Sequence, residues 1–379
     1  MDEEAYVLLL STSKIILERR YILKSSKRIV ICVLLIVVSI ISLILINKNT
    51  NKTFKYKGST IALTIDGNSA TSFPASGKYN VTVNCNNAKG RWNPKTWKLE
   101  ITKITGTVTC DVSFNSNVSN LTTVVNNKAT RNENGKRYQG KNPDNYIWFN
   151  DELWRIIGNI PVCLTSGCAT TENRVKIIRN DSIGAIKYGS NSTWIGSNIQ
   201  NLLNTCYLGK KSSCDSYCYS YDTSAKGTCD YSADGIDTSD FYGQMIEDVY
   251  FNVGAGDETY KTAANYYTQE IATHAASASK IGLMYASDWG YAIEGFTGVL
   301  GDSGRPQNSS DKNWLFSNGN ESIMSDYSSS KPLIATYVGF LNGSSASSGA
   351  SIRPVVYLKS NVYVVSGTGT KVDPYRIGI

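Results

Sequence analysis

NYIWFNDELWRIIG, residues 145–158, reads as a β-hairpin turning at Asn150-Asp151. Aromatic and β-branched residues lie on both sides of the turn, and Asn and Asp tolerate the left-handed backbone of a two-residue hairpin loop. The run Val175-Lys-Ile-Ile-Arg179 continues the same sheet. The outer part of the chain is therefore organised around a β-sheet.

Downstream the pattern mixes in helix. Ser197 and Gln200 have capping-box spacing ahead of Ile199, Leu202 and Leu203, which starts a short helix. Phe241, Met245, Val249 and Val253 recur every fourth residue, so a helix is expected over 240–253, with Ser239 as cap and Gly254 as stop. Residues 258–276 give a third helix. Ile281–Tyr285 reads as a buried strand, and Arg353–Leu358 as a strand near the end. Between them, 301–351 is rich in Ser, Gly and Asn and reads as a long loop. Flanking helices, a curled sheet and a long loop before the last strand suggest an α+β domain of C-type-lectin-like architecture over 138–379.

WRIIG (154–158), KIIR (176–179), IGLMYASDWGYA (281–292), NWLF (313–316), IRPVVYLKSNV (352–362) and GTGTKVDPY (367–375) occur in this order. Together they resemble a recurring bacterial surface domain, similar to the formylglycine-generating, sulfatase-modifying branch of C-type-lectin-like folds. The resemblance covers about 220 residues and implies a fold more than an activity. The enzymes of that branch use a cysteine pair in the C-terminal part of the domain. This chain has no cysteine after Cys229, which argues against formylglycine-generating chemistry.

Upstream, residues 116–137 (SNVSNLTTVVNNKATRNENGKR) are polar and aperiodic, and read as a linker. Before them, 58–115 holds four alternating runs: Ile61/Leu63/Ile65, Tyr79/Val81/Val83/Cys85, Trp97/Leu99/Ile101 and Val108/Cys110/Val112/Phe114. This spacing predicts a small β-sandwich, which resembles the immunoglobulin-like spacers of bacterial surface proteins. Cys85 and Cys110 share the apolar phase. A bridge between them would close about 26 residues and contribute roughly 3–4 kcal/mol. Cys163 and Cys168 flank a Ser-Gly turn and are expected to pair. Cys206, Cys214, Cys218 and Cys229 are expected to pair among themselves, in one of three ways. Zinc is the weaker reading, because there is no CxxC and the one histidine is His274.

The N-terminal region places this architecture in a cell. IVICVLLIVVSIISLILI (29–46) carries no charge. As a helix it spans about 27 Å, close to the ~30 Å bilayer core. Six basic residues precede it (Lys14, Arg19, Arg20, Lys24, Lys27, Arg28) and four follow (Lys48, Lys52, Lys55, Lys57), favouring an internal N-terminus. No small-x-small cleavage site follows, so a retained anchor is expected rather than a signal peptide. Arg28 before the run, and the absence of an acid within it, set a prepilin aside. The expected order is a cytoplasmic tail (1–28), a transmembrane helix (29–46), the immunoglobulin-like unit, the linker and the C-terminal domain at the cell surface. An even number of external cysteines, eight, agrees with that compartment.

The net charge of +7 leaves about +5 beyond residue 46, with no basic cluster, so nucleic acid is not an expected partner. His274 lies in a polar helical stretch and is a poor nucleophile activator. Glu152 with Asp151, and Asp240 with Glu247 and Asp248, could act as paired carboxylates, but charged turns and helix faces explain them more simply. Asp288, Asp302 and Asp311 are acidic loop candidates for calcium, yet the EPN, QPD and WND triplets of sugar-binding C-type lectins are absent. SGTGT (366–370) lacks the GK[ST] of a phosphate loop. No catalytic residue, metal or cofactor is assigned.

The expected activity is binding of a protein or glycan at the cell surface. An extracellular enzyme or a structural envelope component is the alternative. The expected ligand face is 302–350, through Trp314, Phe316, Tyr327 and Tyr337. Trp314 is the leading surface candidate. Trp154 and Trp289, in the motif segments, are expected in the core.

Overall fold

The computed structural model describes residues 59–190, 192–214, 217–218, 229–253, 256–272, 276–304, 306, 309–317 and 319–379. The 29–46 segment and His274 lie outside these residues. Among the described residues no helix is long and apolar enough to cross a membrane. The chain divides into two compact units that meet at Ser116/Asn117.

The first unit is all β. Strands Asn68–Ser69, Thr60–Ile65, Thr109–Asn115 and Asn80–Asn86 form one sheet in that order. Thr60–Ile65 runs parallel to Thr109–Asn115. Lys89–Asn93 and Lys98–Thr102 form a second, two-stranded sheet. The expected alternation holds along Thr109–Asn115, where Cys110, Val112 and Phe114 are buried and their neighbours exposed. Trp92 is fully buried against Phe114, ring centroids 4.8 Å apart. Cys85 and Cys110 are bonded. They face each other on neighbouring strands of one sheet, whereas the immunoglobulin hallmark disulfide crosses between sheets.

The second unit is β-rich with few helices. Its main sheet runs in the order Ala276–Ser279, Val249–Asn252, Glu152–Cys163, Thr171–Arg179, Val355–Tyr357, Ile281–Gly282, with Tyr146–Phe149 and Lys136–Arg137 also paired to the long Glu152–Cys163 strand. The predicted hairpin is present, and Asn150 (φ 54°) and Asp151 (φ 61°) both take the left-handed turn conformation. Ser197 caps a short helix by accepting from the Gln200 backbone N–H at 3.0 Å. Ala263–Ala272 is helical, inside the predicted 258–276. Trp154 and Trp289 are fully buried.

Three expectations fail. Residues 117–137 are not a linker but belong to the second unit. Asn120 caps the helix Leu121–Lys128, which buries Leu121 and Val125, and Lys136–Arg137 joins the main sheet. Two apolar anchors in a polar helix give too little periodicity to be read. Residues 240–253 are not one helix. Gly243–Met245 is a single 3-10 turn, and Val249–Asn252 is a strand paired with Ala276–Ser279. The β-branched and aromatic run Val249-Tyr-Phe prefers the pleat that this pairing offers. Residues 301–351 are not mainly loop. Glu321–Ser328, Lys331–Ala335, Leu341–Gly343 and Gly349–Ser351 form a sheet with Ala185–Lys187. Glu321–Ser325 is buried on both faces, so alternation is absent.

The remaining disulfides are Cys163–Cys168, Cys206–Cys214 and Cys218–Cys229, which selects one of the three open pairings in the 206–229 cluster.

Candidate functional site

Among the described residues, the main sheet and two helices enclose a cavity of about 260 Å³. Its walls come from the strands Glu152–Cys163, Thr171–Arg179 and Val249–Asn252 and from the helices Ala263–Ala272 and Ala286–Tyr291. Tyr250, Tyr267, Tyr285 and Tyr357 line it together with Ile160, Val162 and Ile271. The Cys163–Cys168 disulfide stands at the same wall, and Asn252 Nδ2 donates to Cys163 Sγ at 3.4 Å.

The cavity also holds four ionisable side chains: Arg137, Lys176, Glu270 and Asp288. Asp288 is the hub. Arg137 Nη1 donates to its Oδ1 at 2.7 Å, Lys176 Nζ donates to its Oδ2 at 2.5 Å, and the Tyr285 backbone N–H donates to Oδ2 at 3.0 Å. The Lys176 side chain is 0 % exposed and that of Asp288 1 %. An ion pair this deep costs several kcal/mol per ion to desolvate, which only good geometry offsets.

Each charge is placed by local structure. Lys176 sits in the Thr171–Arg179 strand opposite both Gly158 and Tyr357. Arg137 reaches the cavity from the short strand beside Gly158, and its guanidinium lies over the Tyr291 ring at 4.7 Å. Asp288 occupies the first turn of Ala286–Tyr291, where an acid complements the helix dipole. Lys176 Nζ lies 4.3 Å from the Tyr285 ring centroid and 5.3 Å from that of Tyr357, so aromatic faces stand where water would solvate the ammonium.

Glu270 has no cation partner among these contacts. Its Oε1 accepts from the Ser287 backbone N–H at 3.2 Å and from Ser325 Oγ at 2.6 Å, and the Ser287 hydroxyl donates to Oε2. Burial raises its pKa above the usual glutamate range against those hydrogen bonds. Burial also pulls the Lys176 ammonium down, with Asp288 opposing. Burial works to raise Asp288, but Lys176 and Arg137 outweigh it and hold the carboxyl low. Chemically, the site offers a carboxyl that can keep a proton, a lysine that can lose one, and a fixed guanidinium, between tyrosine faces.

None of the four aromatics expected to bind ligand lines this cavity. Trp314 is buried, with Nε1 donating to the Tyr138 carbonyl at 2.9 Å and the Arg155 guanidinium 4.6 Å from its ring centroid. The expectation that it faces solvent is therefore corrected. Tyr327 is half-buried and stacks on Tyr260 at 4.9 Å, Phe316 is half-buried, and Tyr337 is 62 % exposed. The candidate carboxylates are occupied elsewhere. Glu152 forms a two-oxygen pair with Arg179 at 2.8 and 2.6 Å, Glu247 pairs with Arg174, and Asp248 pairs with Lys280. Asp240 caps the backbone N–H groups of Tyr242 and Gly243. Asp288 is ion-paired in the interior rather than free in a calcium loop, and Asp311 pairs with Lys141 at 2.8 Å.

The site residues were only partly readable. Lys176 interrupts an apolar strand and Asp288 an apolar motif, and a charge inside such a run is the signal that could have marked them. Arg137 carries no such signal in its polar surroundings, and neither does Glu270. Comparison of the chain with protein-family models, with curated proteins and with solved structures finds no match.

Proposed function

We propose that this chain is a single-pass surface protein, anchored by residues 29–46, whose second unit is a C-type-lectin-like head that binds a glycan end group. The observation that carries the reading is the cavity itself, where the rings of Tyr250, Tyr267, Tyr285 and Tyr357 stand beside the Arg137 guanidinium and the Glu270 carboxyl. Sugar rings pack their C–H faces on aromatic side chains, and their hydroxyls bond to fixed charged groups. A pocket near the small end of the usual ligand range suits one sugar residue rather than a protein surface, which would need about 800 Å² on each partner. Four disulfides and the apolar N-terminal segment fit display outside the cell. In this reading the immunoglobulin-like first unit is a spacer.

The test is a glycan array probed with the full chain in detergent, followed by calorimetry on the sugars retained. Tyr267→Ala and Tyr250→Ala, both on half-buried cavity-lining rings, should weaken binding at least tenfold while the melting temperature stays within a few degrees. Retention of no glycan, or binding indifferent to both substitutions, would remove the cavity as the binding site.

A further inference from the structure

We propose that Lys176 and Asp288 condense to an intramolecular isopeptide bond, joining the central strand Thr171–Arg179 covalently to the helix Ala286–Tyr291. The Nζ and Oδ2 atoms are 2.5 Å apart, and the two side chains are almost fully buried at the wall of the cavity. The residues are 112 apart in sequence, yet the fold holds amine and carboxyl against each other in one orientation. Such positioning substitutes for concentration, with effective molarities on the order of 10⁵ M or more. Buried charges are costly, and an amide in their place is neutral. The rings of Tyr285 and Tyr357, 4.3 and 5.3 Å from Nζ, occupy part of the shell that water would fill around the separate ions.

The chemistry is complete with groups already present. Nζ attacks Cγ of Asp288. The charge that develops on Oδ1 is met by Arg137 Nη1, which already donates to that atom at 2.7 Å. Counted from ammonium and carboxylate, one of the three Nζ hydrogens stays in the amide and two leave with Oδ2 as water. Charge is zero on both sides, and nothing is oxidised or reduced. Glu270 lines the same cavity, lies close enough for its charge to act on Lys176, and is fixed by Ser287 and Ser325; in the proposed reaction it would carry the proton from Nζ to Oδ2. Its tendency to stay protonated and the lowered pKa of Lys176 favour the transfer, while Lys176 and Arg137, which hold the Asp288 carboxyl low, oppose it until the proton reaches Oδ2. A cross-link between the main sheet and this helix would keep a displayed head folded under pulling forces.

Intact mass spectrometry of the purified full chain, after reduction, alkylation and denaturation, decides the matter. The mass should lie one water below that of the sequence with all nine cysteines alkylated. A tryptic digest should yield residues 175–179 joined through Lys176 to residues 281–312 through Asp288, because trypsin does not cut the Arg305–Pro306 bond. Full sequence mass, with the two peptides recovered separately, would overturn the proposal, and denaturation beforehand means that an ion pair alone cannot mimic the bond. Glu270→Gln should return most of the chain at full mass. A water loss in that variant equal to wild type would remove Glu270 from the reaction and leave Arg137 as the sole assisting group.

Discussion

Gly158 and Arg137 face each other across an antiparallel pair so close that a Cβ on Gly158 would lie 3.1 Å from Arg137 Cα and 2.3 Å from the Lys136 carbonyl oxygen. The register irregularity in the Glu152–Cys163 strand, between Ile156 and Gly158, falls at the same point. This contact delivers Arg137 to Asp288. Gly158→Ala should therefore destabilise the fold by about 1–3 kcal/mol or more, as overpacking does. It should also weaken cavity binding, because the guanidinium is displaced. Urea melts and calorimetry check both, and an unchanged midpoint would show that the short strand can move aside at little cost.

Trp314 and Tyr337 were candidates for the same surface role, and the fold separates them. Trp314→Ala should lose about 3–5 kcal/mol, the usual range for a buried tryptophan. Tyr337→Ala, at an exposed position, should stay within about 0.5 kcal/mol. Equal effects on the denaturation midpoint would contradict the placement of the two rings.

Asp326 sets a pH dependence. Its Oδ1 is buried with no hydrogen-bond partner among the described residues, and burial pushes its pKa up to about 8. An unfolded aspartate titrates near about 3.9. Between about pH 4 and pH 8 the folded chain thus holds a proton that the unfolded chain has released, so stability is greatest below this window and falls as pH rises through it. Asp326→Asn should flatten the decline in melting temperature across that range and raise stability most at pH 8. Parallel curves for wild type and variant would show that the carboxyl is ionised in the fold.

Topology can be tested on whole cells. Protease added outside should remove the C-terminal unit and spare a tag on the N-terminus. A C-terminal unit that is digested only after lysis would reverse the orientation.

The parts that were legible share one property: the signal is local. Asn150-Asp151 announces its own turn, Ser197 its own cap, and Cys110, Val112 and Phe114 their own buried face. Cys163 and Cys168 are near enough in sequence for spacing alone to pair them. Where long-range contact competes with local pattern, the sequence misleads. The four-residue repeat Phe241/Met245/Val249/Val253 looks helical, but pairing of Val249–Asn252 with Ala276–Ser279 overrides it. The serines and acids of 321–328 look exposed, although Glu321 is buried against Arg353 at 2.8 Å and Ser325 against Glu270.

The sequence by itself determined the alternating strands of the first unit, the hairpin of the second, and the pairing of eight cysteines with one another, whereas it read the second unit as richer in helix and loop than it is. Only the tertiary structure decided the site. Arg137, Lys176, Glu270 and Asp288 lie on four separate elements. Lys176 and Asp288 stand out within apolar runs, but nothing local joins them to each other or to Arg137 and Glu270, because a charge reveals its surroundings only when the chain segments enclosing it are known. Burial and partnership are properties of the folded assembly of strands and helices, and it is they that turn four scattered residues into one cavity.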